Sequence, residues 1–255
     1  MLTMLKNNRK ILMEAAIVER LRRSNDIELH PTLINAPLIY SESGREALQG
    51  IYQEYIEIAQ KASLPILLCS PTWRANQARV KNSDYVHSVN SDAVRFMKAL
   101  RNSFVPSSID IRIGGLMGCK NDCYQADQGL SISEAQDFHS WQINQLMLES
   151  PDYLIAETLP NVQEAIGIAK IMDEAGVPYI ISFVITRDGL VMDGTTLLEA
   201  IDLVDSQTKQ KPLGYMVNCA YPSFLCPEQQ SAELFERLIG YQANASSMDQ
   251  CELDN

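Results

Sequence analysis

No stretch of this 255-residue sequence is apolar for long enough to cross a bilayer. Its opening, "MLTMLKNNRK", has charge but no apolar segment leading to a small-residue cleavage site, so it does not read as a signal peptide. Basic residues are in short supply. There are 21 Lys and Arg against 32 Asp and Glu, for a formal net charge of −11. That balance disfavours nonspecific binding to nucleic acid or to an anionic membrane. Histidine is scarcer still: His30, His87 and His139 are scattered, form no His-Glu-x-x-His motif and read as structural. A Gly-x-Ser-x-Gly elbow and a Walker loop are both missing. No low-complexity linker divides the chain, so residues 1–255 read as one domain.

What is present is a repeated alternation of short apolar runs and amphipathic segments. Strand candidates lie at 9–15, 64–72, 109–118, 152–158, 178–185, 213–219 and, more weakly, 239–246. Most are near-continuous apolar runs, the pattern of parallel strands covered on both faces. The segment between the first two places Leu48, Ile51, Tyr52, Tyr55, Ile56 and Ala59 on one helical face. Helix starts are expected at Ser43/Glu46, Ser131/Glu134, Asn161/Glu164 and Thr196/Glu199, from their capping-box spacing. Gly176 and Gly240 are expected to stop helices, and Pro227 to open one.

Strands alternating with helices predict an α/β fold, either an open doubly wound sheet or a (β/α)8 TIM-type barrel. The first strand is followed by "LMEAAIVERL", which has no glycine-rich phosphate loop, so the barrel is favoured. Seven strand candidates are one short of eight, which predicts a barrel incomplete at its C-terminal end. A barrel gathers its chemistry after the carboxyl ends of strands. The polar residues concentrate there: Glu14, Thr72-Trp73-Arg74, Asp122, Glu157-Thr158, Asn218-Cys219 and Asn244.

Read from residue type alone, these positions stay open. Glu157 could hold an ammonium group, act as a base or serve in a salt bridge, and Glu14 offers the same choices. Trp73 could wall a ligand and Arg74 could hold a carboxylate, or both could belong to a packed loop. Cys219 could be a small buried hydrophobe. Neither the C-x3-C spacing of Cys119 and Cys123 nor the interval from Cys219 to Cys226 is a zinc-finger signature. Six cysteines spread through a chain of this size suggest reduced thiols and a cytoplasmic location.

Several motifs, in order along the whole chain, resemble the homocysteine S-methyltransferase family of zinc-dependent barrels. They are "ILMEAAIVERLRR", "SPTWRAN", "GGLMGCKNDCY", "YLIAETLPNVQEAIGIAK", "ISFVITRDGLVMDGTTLLEAI", "MVNCAYP" and "YQANAS". The resemblance implies transfer of a methyl group to the thiol of homocysteine, forming methionine. It implies that Glu14 and Glu157 hold the amino-acid portion, that Thr72 and Trp73 shape the donor pocket, and that Asn218 also binds substrate. Cys219 aligns with a zinc ligand. The family's other two ligands, an adjacent cysteine pair, have no counterpart in this sequence. Zinc is therefore expected to be absent or weakly bound. The implied partners are a homocysteine-like thiol, a methyl donor and, possible for such a barrel, a second copy of the chain. Two other readings accompany this one: a noncatalytic small-molecule-binding member that has lost the zinc site, and an unrelated barrel lyase using Glu157 as base.

Overall fold

The structure, a computed structural model, describes residue 4, residues 7–8, 10–85 and 88–248. His87 and Cys251 lie outside the described residues. Seven strands are found among the described residues: β1 (Leu12–Met13), β2 (Ile66–Cys69), β3 (Ile111–Gly118), β4 (Tyr153–Leu159), β5 (Tyr179–Phe183), β6 (Gly214–Ala220) and β7 (Leu238–Ala243). They lie in one sheet in the order β1-β2-β3-β4-β5-β6-β7. The pairs β1–β2, β2–β3, β5–β6 and β6–β7 are parallel. A doubly wound sheet reverses its strand order at a switch point, whereas a barrel adds each strand beside the last. The observed order never reverses, and the fold is the (β/α)8 TIM-type expected from sequence.

The connecting α-helices are α1 (Ile17–Arg22), α2 (Glu42–Ala62), α3 (Gln77–Lys81), α4 (Val89–Ser103), α5 (Ile132–Met147), α6 (Val162–Glu174), α7 (Leu197–Gln207) and α8 (Ala232–Arg237). The chain divides into two compact units. One comprises Met1–Met117 with Trp141–Leu154, the other Gly118–Ser140 with Ile155–Asn255.

In the first unit, α2 turns Leu48, Tyr52, Ile56 and Ala59 into a core shared with Ile66, Leu68, Met97 and Ile113. Ile51 and Tyr55 pack at its margin, as their helical spacing predicts. The helix begins two residues before the expected Ser43. Ser41 is the N-cap, and its hydroxyl accepts from the Gly44 amide at 3.1 Å. Both serines satisfy the composition rule, and only the extended backbone of Ser41 allows its oxygen to reach the free amides.

In the second unit the expected helix starts are found. Ser131 and Glu134 exchange hydrogen bonds as a capping box, while Asn161 and Thr196 cap α6 and α7. Gly176 follows α6 with a φ of 71°. Gly240 differs from its expected role: it sits within β7, where the missing side chain leaves room for Met216. Pro227 opens only a short 3-10 turn, Pro227–Gln229. The core here is built from Ile155, Leu159, Ile166, Ile180, Phe183, Tyr215 and Val217, all buried.

Gly167 marks the tightest approach of α5 and α6. A Cβ at that position would lie 2.6 Å from the Ile132 carbonyl oxygen, well inside contact distance. Alanine is the better helix former, yet here it must push two helices apart. Gly167→Ala is expected to lower unfolding stability by about 1–3 kcal/mol in chemical denaturation. A neutral or stabilised variant would show that the helices have slack.

Candidate functional site

Two groups of polar side chains sit at the carboxyl ends of strands, one in each unit. In the first, Glu14 directly follows β1 and is 5% exposed. Its Oε2 accepts from the Cys69 backbone amide at 2.6 Å, tying the end of β1 to the end of β2. Thr72 is fully buried, and its hydroxyl donates to the Leu116 carbonyl at 2.5 Å. The Ser70 hydroxyl accepts from the Leu116 amide at 3.1 Å and lies 2.8 Å from the Thr72 hydroxyl. These contacts close a small ring between β2 and β3, so the Thr72 hydroxyl braces backbone. Trp73 is half-buried, with the Arg74 guanidinium 4.1 Å from its ring centroid, a cation–π contact.

The second group lies on β4 to β7. Glu157, near the end of β4, is half-buried as a residue, but its Oε1 is sealed from solvent and has no hydrogen-bond partner among the described residues. Gln242 on β7 donates to the same carboxylate. Burial dominates over that one bond, and the carboxyl is pushed up to about 7. A carboxylate whose charge is compensated on one side only is suited to receiving a cation.

Asn218, 3% exposed near the end of β6, is fully engaged inside the protein. Its Oδ1 accepts from the Thr158 backbone amide at 3.1 Å and from the Ser182 hydroxyl at 2.6 Å. Its Nδ2 donates to Cys219 Sγ at 3.2 Å. Thr158 and Cys219 both have left-handed backbones, with φ of 59° and 54°. For residues other than glycine this conformation costs about 1–2 kcal/mol each, most clearly for β-branched threonine. Asn244 steadies the same region, donating from Nδ2 to the Cys219 carbonyl at 3.1 Å.

Cys219 is half-buried and is not joined by other ligands. No group of three His, Cys, Asp or Glu side chains able to hold a metal is found among the described residues. The Cys226 thiol is directed at the Arg187 and Ser223 carbonyls, at 3.5 and 3.6 Å. Cys119 and Cys123 are buried, and the Cys119 thiol faces the Asn121 carbonyl at 3.4 Å. A catalytic zinc takes three protein ligands, and the described residues do not provide them. The described histidines are structural, as expected. His30 Nδ1 accepts the Thr32 and Leu33 amides, and the fully buried His139 pairs with Glu164 at 2.8 Å.

The structure thus brings Glu157, Asn218 and Cys219 together in one unit and Glu14, Thr72 and Trp73 in the other. Reasoning from sequence missed Ser182 and Gln242. Ser182 is the one small polar residue inside the apolar run "PYIISFVI", and that oddity is the available signal. Gln242 was readable only as a polar residue within a weak strand.

Comparison with known proteins identifies the family. The family model described as homocysteine S-methyltransferase matches residues 1–254. Homocysteine S-methyltransferase 1 of Brassica oleracea var. italica is 23% identical over 222 residues, covering 79% of this chain and 68% of that protein. Homocysteine S-methyltransferase 3 of Zea mays is 31% identical over 107 residues, covering 40% of this chain and 31% of the maize protein. Among solved structures, the oxidized form of the homocysteine methyltransferase MmuM from Escherichia coli superposes with a TM-score of 0.74 at 18% identity. That match covers 99% of this chain and 98% of MmuM. The metallated form of MmuM gives 0.71 at 17%, covering 95% of each chain. An unrelated lyase is thereby set aside, and the chain belongs to the homocysteine S-methyltransferase family.

Proposed function

We propose that the strand ends of the second unit bind an amino-acid thiol of the homocysteine class, and that the chain promotes methylation of its sulfur. The observation that carries this reading is Glu157. A buried carboxylate oxygen without a partner is costly unless a ligand supplies one, and an α-ammonium group supplies both charge and hydrogen-bond donors. Glu14, Thr72 and Trp73 are proposed from the family resemblance to serve the rest of the amino acid and the methyl donor. Methyl transfer forms a bond from sulfur to carbon while the bond from that carbon to the donor breaks. The electron pair leaves with the donor, and the thiol proton goes to solvent.

Zinc would ordinarily hold the thiol as thiolate in this family. The described residues do not bring together the three ligands that ion requires. This favours a second reading, a member that binds the thiol without turning it over. The two separate in one pair of measurements on the purified chain: calorimetric titration with L-homocysteine, and detection of methionine after adding sulfonium methyl donors. Binding with product supports the enzyme, binding without product supports the binding protein, and no binding overturns both. Six cysteines spread widely through a chain of this size suit a reducing compartment, and a cytoplasmic location is proposed on that basis. Among the described residues, no helix is long and apolar enough to cross a membrane.

Three outcomes are expected. First, homocysteine affinity should fall as pH drops below about 7, approaching tenfold per unit, because protonated Glu157 no longer attracts an ammonium. Glu157→Gln should bind more weakly and lose this dependence; an unchanged pH profile would rule out Glu157 as the ammonium acceptor.

Second, Glu157 holds its proton more readily in the folded than in the unfolded chain, where its ordinary value is 4.5. Between about 4.5 and 7 the native state carries the extra proton, so this group's contribution to stability falls as pH rises. Above 7 the full cost of the buried charge is present. Glu157→Gln should therefore be more stable than wild type at pH 8, by on the order of 1–3 kcal/mol, and lose that advantage near pH 4. Denaturation at both pH values checks the sign.

Third, the purified chain should carry far less than one equivalent of zinc, and Cys219→Ser should leave that content unchanged. Elemental analysis finding stoichiometric zinc that Cys219→Ser abolishes would show that other ligands complete the site.

A further inference from the structure

The family resemblance assigns Asn218 to substrate contact, yet both faces of its amide are used within the protein. Oδ1 takes two donors, the Thr158 amide and the Ser182 hydroxyl, and Nδ2 points to Cys219 Sγ. Only 3% of the residue reaches solvent. Because the Thr158 backbone N–H can only donate, the amide has one sensible orientation, with its oxygen toward β4 and β5.

That oxygen holds the backbone of Thr158 where a threonine does not readily stay. With φ at 59°, Thr158 puts a left-handed turn into the end of β4, immediately after Glu157. A relaxed, extended Thr158 would alter the direction in which the preceding carboxylate leaves the strand. From the other side, Gln242 donates to that carboxylate. Glu157 is thus set by its backbone through Asn218 and by its side chain through Gln242.

We infer that Asn218 is a positioning residue for ammonium recognition, acting through the left-handed turn at Thr158 to aim Glu157 rather than by touching the ligand. This rests on the thiol-binding reading above, and it adds a chain of cause from β6 and β5 to the specificity of a carboxylate on β4. It also assigns Ser182 a role, as the second donor that holds the amide oxygen in place.

The test compares two thiol ligands that differ only in the α-ammonium group: L-homocysteine and γ-mercaptobutyrate. Wild type should prefer homocysteine. Asn218→Ala should lose about tenfold or more of that preference while γ-mercaptobutyrate binds nearly as before. Glycine adopts a left-handed backbone without strain, so adding Thr158→Gly to Asn218→Ala should restore much of the preference. A general loosening of the site would not respond to that second change. If Asn218→Ala does not fold, Ser182→Ala should show the same selective loss in milder form. Equal losses for the two ligands, or no rescue by glycine, would overturn the inference while leaving homocysteine binding intact. A wild-type chain that binds neither ligand would overturn the thiol-binding reading and this inference with it.

Discussion

A polar atom removed from water must find a partner inside the protein, and the carboxyl ends of these parallel strands are organised by that requirement. Where a ladder stops, its last amides and carbonyls lose their strand neighbours. Side chains take over. Glu14 receives the Cys69 amide, Ser70 and Thr72 together satisfy both backbone groups of Leu116, and Asn218 receives the amide of Thr158. The polar residues that make this chain look like an enzyme in sequence are, in large part, the groups that finish its sheet. Against that background the unpartnered oxygen of Glu157 is the exception. It is the atom on which the proposed ammonium recognition rests.

Periodicity made the fold legible because burial on both faces leaves little choice of residue. "LPILLCSPT" and "PYIISFVI" could hardly be anything other than interior strands, and the amphipathic face of α2 was readable residue by residue. Local backbone geometry was not. Ser41 and Ser43 are equally good caps on paper, and the extended conformation of Ser41 decides between them. Gly240 reads as a helix stop in isolation but is required small by a methionine from the neighbouring strand. Motif reading pointed to Asn218 as a substrate contact, since a buried amide and a ligand-binding amide look alike in a string of letters. Only its hydrogen-bond partners distinguish them.

The cysteines show the same limit in another way. Thiols spaced along a sequence suggest ligand sets, but each described thiol with a recorded contact faces a carbonyl, a tyrosine hydroxyl or a side-chain amide. A thiol in such surroundings is satisfied as a weak donor or acceptor and does not depend on a metal for its place. Family membership is therefore compatible with a chain whose described residues keep polar side chains at the strand ends and bring no three metal ligands together.

Glu164 has a different consequence. Its buried carboxylate receives the amides of Lys120 and Leu130 and pairs with His139, fastening both ends of the segment that follows β3 to the first turn of α6. One side chain therefore anchors the loop at two places, and its loss would release both ends together rather than one at a time. Within residues 121–129 the room for exchange is uneven. Cys123 is buried, and a Cβ at Gly129 would meet the Asn161 side chain at 2.6 Å, whereas Asp122, Gln125, Asp127 and Gln128 face solvent. New surface chemistry can enter at those four positions without disturbing the anchor.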